Sequence, residues 1–203
     1  MQLERIVKRL LSVSAILVVI VFSVAPVQGE FTFLVPISGG SVAHDFDDMY
    51  VPGWYNTGID YWGPNKQATY VVASNVGVVE KVVLNGDNDH GMGNCVVIKH
   101  NVLSSTTGAT TPYFTLYANM DSIANLKVGQ TVNQGQIIGV MRATGYGYRD
   151  YWGSTPYLHF EVKMTDTTSN PSGGGPYWLD TPQPAETCGY IDPHWVIGIW
   201  RAR

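Results

Sequence analysis

Charged side chains are scarce in this chain, and basic ones are scarcer than acidic ones. Lys and Arg together number 12 against 16 Asp and Glu, and charged residues make up only 14% of the 203 positions. Beyond the first nine residues the lysines and arginines form no cluster along the sequence. Nucleic-acid-binding domains concentrate basic residues on one face or segment, so the composition argues against a nucleic-acid partner.

Cysteine is nearly absent, since the chain holds only Cys95 and Cys188. Two cysteines exclude a disulfide-rich scaffold, and neither has a histidine at the spacing of a zinc finger. In an exported chain an even pair is most simply one disulfide, Cys95 to Cys188. Such a bond closes a long loop, which would stabilise the fold by about 4–5 kcal/mol if it is unstrained.

Helical periodicity and internal repeats are also missing after the N-terminal segment. What is present instead is a series of short runs rich in β-branched and aromatic residues, at 69–73, 76–84, 94–100 and 113–120. Turn residues, chiefly Gly, Asn, Ser and Thr, separate these runs. The pattern predicts a mainly β domain over residues 30–203, with long loops.

Residues 1–29 have a different character. Arg5, Lys8 and Arg9 form a basic start, residues 10–27 are almost wholly apolar, and a short tail ends at Gly29. This predicts an N-terminal signal helix that is cleaved near Gly29. The alternative is an uncleaved anchor, because the apolar run approaches the ~18–20 residues that span a bilayer. Either outcome places residues 30–203 outside the cytoplasm, secreted or in the cell envelope, with membrane contact only through this segment.

Cleavage would also change the charge of the exported domain. Residues 1–29 hold three basic residues and one acidic residue, so their removal takes the formal charge from −4 to −6.

The most informative strand lies at residues 154–162. Tyr157, His159 and Glu161 alternate with apolar residues at 158, 160 and 162. In a strand this alternation puts the polar set on one face and the apolar set on the other. A polar face backed by an apolar one suits the floor of a groove. A lone strand histidine is usually structural, so any function depends on which residues the fold brings to it.

Four stretches follow a known order of motifs. Residues 56–60 read Asn-Thr-Gly-Ile-Asp, residues 117–119 read Tyr-Ala-Asn, and residues 157–161 read Tyr-Leu-His-Phe-Glu. Residues 128–139 match Val-Gly-x-x-Val-x-x-Gly-Gln-x-Ile-Gly in full. Together they resemble the M23 family of zinc metallopeptidases, the LytM or lysostaphin type. The resemblance implies an antiparallel β-sheet with a groove, in a barrel-sandwich-like arrangement.

The resemblance also implies a site, and this chain departs from it. In the family zinc is held at the positions of Asn56, Asp60 and His159, and two further histidines assist catalysis at the positions of Asn119 and Tyr157. Only Asp60 and His159 keep the expected chemistry. A neutral amide is a weak zinc ligand, and a tyrosine with a pKa near ~10 is no base at pH 7. The resemblance therefore implies a remnant metal site with weak zinc affinity and no intact catalytic residue.

Three functions remain open from the sequence. The first is a non-catalytic module that binds a peptidoglycan fragment, an envelope peptide or an envelope protein in the former active-site groove. The second is an active zinc endopeptidase that cleaves peptidoglycan, with an unusual metal site completed by another histidine such as His44 or His100. The third is a structural domain without a ligand. Aromatic side chains predicted to line the groove are Tyr55, Trp62, Tyr146, Tyr148, Tyr151 and Trp152.

The acidic stretch at residues 44–48 is predicted to be a solvated turn, because it lacks the glycine and the terminal glutamate of a calcium-binding loop.

Overall fold

The computed structural model describes residues 28–29, 32–49, 52–53, 55–84, 93–104, 106–142, 155–164, 180–181 and 185–197. The strands are β1 (Gln28–Gly29), β2 (Ser41–His44), β3 (Tyr55–Asn56), β4 (Ile59–Trp62), β5 (Tyr70–Val72), β6 (Gly77–Val83), β7 (Asn94–Leu103), β8 (Thr110–Ile123), β9 (Thr131–Val132), β10 (Ile137–Met141), β11 (Tyr157–Lys163), β12 (Asp180–Thr181) and β13 (Tyr190–Ile191).

Helix is rare in the described residues, so the predicted mainly β class is confirmed. A short α-helix, α1 (Pro193–Ile197), lies near the C-terminus, and 3-10 turns cover Pro64–Lys66 and Ala185–Cys188. Within these described ranges no helix has the length and hydropathy needed to cross a membrane.

One large sheet organises the fold. Its strands run in the order β2-β4-β11-β8-β7-β6-β9, with β5 and β10 attached through β8 and with β13 attached to β11. The described pairings are antiparallel except for β1, which runs parallel to β7 beside Asn101 and Val102. A separate two-stranded pairing joins β3 to β12. Strand β11 therefore lies between β4 and β8, and side chains from all three strands meet on its two faces.

The two faces of β11 have different surroundings. Leu158, Phe160 and Val162 belong to the main hydrophobic core, as the alternation predicts. Tyr157 belongs to a smaller apolar cluster on the opposite face, together with Ala118 of β8 and residues of β6 and β7. We call this second face, which also bears His159 and Glu161, the site face. Sequence alternation therefore assigns both faces of β11 correctly.

The cysteine pairing remains a prediction. Cys95 lies on β7 and is fully buried on the site face. The side chain of Cys188 lies outside the described residues.

The glycine-rich stretch at 128–139 forms two similar tight turns. Gly129 and Gly135 have φ values of +84° and +76°, which L side chains rarely adopt. In each turn a glutamine side chain, Gln130 or Gln136, accepts a hydrogen bond at 3.0 Å from the backbone N–H three residues earlier. The repeated Gly-Gln pairs in the sequence are thus two copies of one turn, which connect short strands as expected.

His100 lies in the main core and not in the groove. Its Nδ1 is 2.8 Å from the carbonyl oxygen of Val76, and its Nε2 is 2.8 Å from Oγ1 of Thr115. The ring also contacts the edge of Phe33. Burial lowers the pKa of His100 to about 4, despite the hydrogen bond with Val76. The suggestion that His100 lies near the metal position is therefore wrong, because it shares the core-facing side of β7 with Ile98.

The buried, neutral His100 predicts a specific acid sensitivity. Its pKa is 6.5 in the unfolded chain and about 4 in the folded one, so its contribution is complete above pH ~6.5 and is lost as the pH falls toward 4. Between pH 7 and pH ~4.5, the free energy of unfolding of wild type should fall by about 2–3 kcal/mol more than that of His100→Gln. Urea unfolding at both pH values measures this difference.

A matched control is Ile98→Val, which removes a buried methyl group from the same strand at a cost of about 0.5–1.5 kcal/mol. It should leave the wild-type pH dependence unchanged. Equal pH dependence in wild type and His100→Gln would contradict the assignment.

Candidate functional site

The strand register brings Asp60 and His159 together. His159 on β11 lies directly opposite Asp60 on β4 and opposite Ala118 on β8. The imidazole Nδ1 is 2.8 Å from Oδ1 of Asp60. Close approach of the two chains requires Gly58, because a Cβ there would collide with the carbonyl oxygen of Phe160. The glycine of the first motif therefore lets Asp60 reach the histidine strand.

A second carboxylate binds the other side of the ring. Nε2 of His159 is 3.1 Å from Oε1 of Glu161, and the hydroxyl of Thr57 donates to the same oxygen at 2.6 Å. His159, Asp60, Glu161 and Thr57 are 0–2% exposed. We call these four residues the His159 clamp.

The clamp holds the imidazole in its charged form. Burial on its own lowers the pKa of a histidine, but the hydrogen bonds and negative charges of Asp60 and Glu161 outweigh it and raise the pKa of His159 to about 10. Both ring nitrogens then carry protons and donate to carboxylates. A metal ligand needs a lone pair on one ring nitrogen, so metal binding at His159 would require the loss of one of these protons.

Asn56 presents the wrong group to a metal. Its Nδ2 donates to the backbone oxygen of Asp45 at 3.1 Å and to Oδ2 of Asp60 at 3.4 Å. Its Oδ1 accepts from the N–H of Gly58 at 3.3 Å. These contacts fix the orientation of the amide, so a donor and not an oxygen lone pair faces Asp60.

The donor set therefore does not fit a hydrolytic zinc, which takes three protein ligands and one open position. Across the described residues, no group of three or more His, Cys, Asp or Glu side chains has an arrangement that could hold a metal.

Asn119 lies in a β-bulge beside the clamp. On β7, Asn94 and Val96 pair with Met120 and Tyr117, so two residues of β8, Ala118 and Asn119, lie opposite one residue of β7. Tyr117 and Met120 both belong to the main core, which leaves Ala118 and Asn119 on the site face. Asn119 has φ +61°, a conformation that asparagine tolerates better than most residues.

The amide of Asn119 is fully buried, and neither Nδ2 nor Oδ1 has a hydrogen-bond partner among the described residues. Buried polar groups in proteins are usually paired, so this amide is an unusual feature of the site face.

The remaining predicted residues differ in accessibility. Tyr157 pairs with Trp62 across β11 and β4 and is only 2% exposed, whereas Trp62 and Tyr55 are partly exposed. Tyr146, Tyr148, Tyr151 and Trp152 lie outside the described residues. The positions that would carry catalysis are thus buried, and the partly exposed Trp62 lies opposite one of them, Tyr157.

His44 is the histidine that comes nearest to completing the expected set. It lies opposite Asp60 on β2, so His44, Asp60 and His159 form one row across three strands. Burial lowers the pKa of His44, although the charges of Asp60 and Asp48 oppose this shift.

The acidic stretch after His44 forms the predicted turn, in which Asp48 is exposed and Asp45 and Asp47 are partly exposed. Phe46 is buried, however, Oδ1 of Asp47 accepts from the N–H of Ala185, and the backbone of Asp47 and Asp48 pairs with Asn56. The aromatic residue inside the acidic run therefore anchors the turn to the protein, which the sequence prediction missed.

Sequence reasoning assigned no role to two clamp residues, Glu161 and Thr57. The signal for Glu161 was its spacing of two residues from His159 on one strand, which places both on the same face. Thr57 gave no such signal, because it precedes β4 in a bend and meets Glu161 only through the fold.

The fold, together with the row of His44, Asp60 and His159 across β2, β4 and β11, defines an M23-type β-sheet domain. The sequence profile of Peptidase family M23 matches residues 55–171, more than half of the chain. The chain belongs to this family.

Known proteins that resemble the chain include two curated relatives and a solved structure. The murein hydrolase activators NlpD of Salmonella dublin and of Escherichia coli (strain K12) are 34% and 32% identical to it over 116 residues. That match covers 57% of this chain but only 25% of either relative, so it spans about a quarter of their length. The antimicrobial peptidase lysostaphin from Staphylococcus simulans superposes with a TM-score of 0.53 at 18% identity, covering 86% of this chain and 55% of that one. This last similarity concerns the fold.

The clamp predicts that Glu161 is essential for stability. Glu161→Gln removes one of the two carboxylates that neutralise a buried imidazolium, and breaking such a pair costs about 3–5 kcal/mol. Glu80→Gln is the matched control, since Glu80 is partly exposed and its loss should cost less than about 0.5 kcal/mol. Urea unfolding at pH 7 compares both variants with wild type. A cost below about 1 kcal/mol for Glu161→Gln would contradict a charged His159.

Proposed function

We propose that this chain is an extracytoplasmic, non-catalytic M23 domain that binds a peptide ligand on its site face. The ligand is a peptidoglycan fragment or a segment of an envelope protein. The observation that carries the proposal is the His159 clamp, in which both nitrogens of the one histidine retained from the family's metal site bind carboxylates. The fold is that of a peptidase, while the ring that would hold the metal is already fully paired.

Three requirements of peptide hydrolysis are unmet by these residues. A zinc site needs a third ligand, and Asn56 offers Asp60 an N–H group. Hydrolysis needs a base near neutral pH, and neither Asn119 nor Tyr157 can serve as one. The attacking water and the scissile bond must reach the site, and Asp60 and His159 are no more than 1% exposed.

Ligand binding has separate support. Trp62 lies on the same face of β4 as Asp60, opposite Tyr157, and is partly exposed, with the Lys66 ammonium 4.0 Å from its ring centroid. The similarity to murein hydrolase activators supports a role in which an M23 domain acts through a partner.

The alternative function is a zinc endopeptidase in which His44 supplies the imidazole missing at Asn56. The observation that favours it is the row of His44, Asp60 and His159 across β2, β4 and β11. It requires His159 to release a proton and rotate away from one carboxylate. Zinc content and cleavage of peptidoglycan distinguish the two functions.

The first prediction concerns zinc. After zinc loading and gel filtration, the wild-type domain should retain well under one zinc per chain by mass spectrometry. Asn56→His restores an imidazole beside Asp60 and should raise zinc affinity by at least about tenfold, measured by chelator competition. Stoichiometric zinc in wild type, together with chelator-sensitive cleavage that His44→Gln abolishes, would overturn the non-catalytic function in favour of the alternative.

The second prediction concerns the ligand. Soluble muropeptides should bind the domain in calorimetric titration, and Trp62→Ala should weaken that binding by at least about tenfold, because aromatic residues dominate such contacts. The control is Trp195→Ala, a highly exposed tryptophan on α1 that lies on no part of the site face. Equal muropeptide affinity in wild type and Trp62→Ala would contradict the proposal that the ligand binds on the site face.

A further inference from the structure

The site face continues beyond the clamp into a region of opposite charge. Lys99 on β7 and Lys163 on β11 both lie directly opposite Phe114 on β8, one on each side of it. Lys163 lies four residues beyond His159 on one strand, a separation of about 13 Å. We call Lys99, Phe114 and Lys163 the lysine row.

Strand alternation places the row on the site face. Lys163 follows Tyr157, His159 and Glu161 at steps of two along β11, and Phe114 belongs to the same apolar cluster as Tyr157. Lys99 follows Cys95 and Val97 of that cluster at the same step along β7. Lys81 on β6 lies opposite Val97 and adds a third positive charge to this face.

The two lysines of the row are partly exposed, and in the described residues neither forms an ion pair with a carboxylate. Each ammonium group instead lies near an aromatic ring, Lys99 at 5.7 Å from the centroid of Phe114 and Lys163 at 4.1 Å from that of Tyr190. Glu80, the nearest acidic residue along β6, pairs with neither of them in this part of the structure.

The carboxylates of the site face do not cancel these charges. Asp60 and Glu161 are no more than 2% exposed, and each forms a hydrogen bond with the ring of His159. The accessible charge on this face is therefore positive, although the chain as a whole carries a formal charge of −4. An anionic ligand suits such a surface.

The distance between the two lysines of the row indicates which kind of anionic ligand fits. The Cα atoms of Lys99 and Lys163 are separated by two inter-strand distances, about 10 Å. Lys163 leans toward Tyr190 on β13, whereas Lys99 leans toward Phe114. Two donors about 10 Å apart suit two separate carboxylates better than one phosphate group. Phe114 between them is buried, so the lysine stems supply the apolar part of the surface there.

We infer that the lysine row is a docking site for an extended peptide that carries a carboxylate on each side of an apolar residue. Side chains at positions i, i+2 and i+4 of an extended peptide share one face, so the apolar residue would lie against the lysine stems beside Phe114 and each carboxylate would reach one lysine. This inference rests on the proposed function, since it names the chemistry of the peptide that the site face binds.

The test uses a fluorescent peptide of sequence Glu-Ala-Leu-Ala-Glu and a matched Gln-Ala-Leu-Ala-Gln peptide, with the full chain in anisotropy titrations. The glutamate peptide should bind more tightly, and its advantage should shrink at high salt. Lys99→Gln and Lys163→Gln should each weaken its binding by about two- to fivefold, while Lys99→Arg and Lys163→Arg retain it. Lys127→Gln, on an exposed turn, is the matched control and should change nothing.

Equal affinity for the two peptides, or binding that survives both glutamine substitutions, would overturn the inference. The muropeptide titration separates its failure from that of the proposed function. Muropeptide binding that depends on Trp62 but not on the lysines would contradict the docking site and leave the proposed function standing. The opposite result is that the glutamate peptide binds through the lysines while no muropeptide or envelope protein binds. That result would contradict the proposed function and support the docking site.

Discussion

The double hydrogen bond of His159 to Asp60 and Glu161 is the interaction on which the rest of the site depends. It joins β4 to β11 and satisfies two carboxylates that are almost completely buried. Without a positive group between them, two buried carboxylates would be costly, because burial disfavours each charge and the two repel one another. A metal ion can supply that positive charge, and so can a protonated imidazole. In this chain the raised pKa of His159 lets the imidazole supply it.

Asn56 follows from the same constraint. With His159 charged, the neighbouring position needs a group that donates to Asp60 and carries no further charge. A neutral amide meets this need. It also donates to the backbone oxygen of Asp45 and accepts from the N–H of Gly58. Asn56 is thus a member of a closed hydrogen-bonded network as well as a missing ligand. Asn119 differs in this respect, because the bulge of β8 explains its backbone conformation while its amide atoms stay unpaired in the described part of the chain.

The fold and part of the site could be predicted from the sequence because both follow strand alternation. Alternation gave the two faces of β11, and the motif order gave the pairing of Asp60 with His159. Alternation puts His100 on the same face of β7 as Ile98, but it did not say which face enters the main core, because β7 has apolar residues on both faces. The bulge of β8 at Ala118 and Asn119 likewise has no clear mark in the sequence.

The charge of the site face shows why composition alone misleads about partners. The chain is acidic overall, and its lysines are scattered along the sequence, which argues against a nucleic-acid partner but does not exclude a local basic surface. Alternation on three separate strands nevertheless brings Lys81, Lys99 and Lys163 to one face. The acidic residues that share that face are buried and paired with His159. Since the field at a short distance is set by accessible charges, the partly exposed lysines determine what this face attracts.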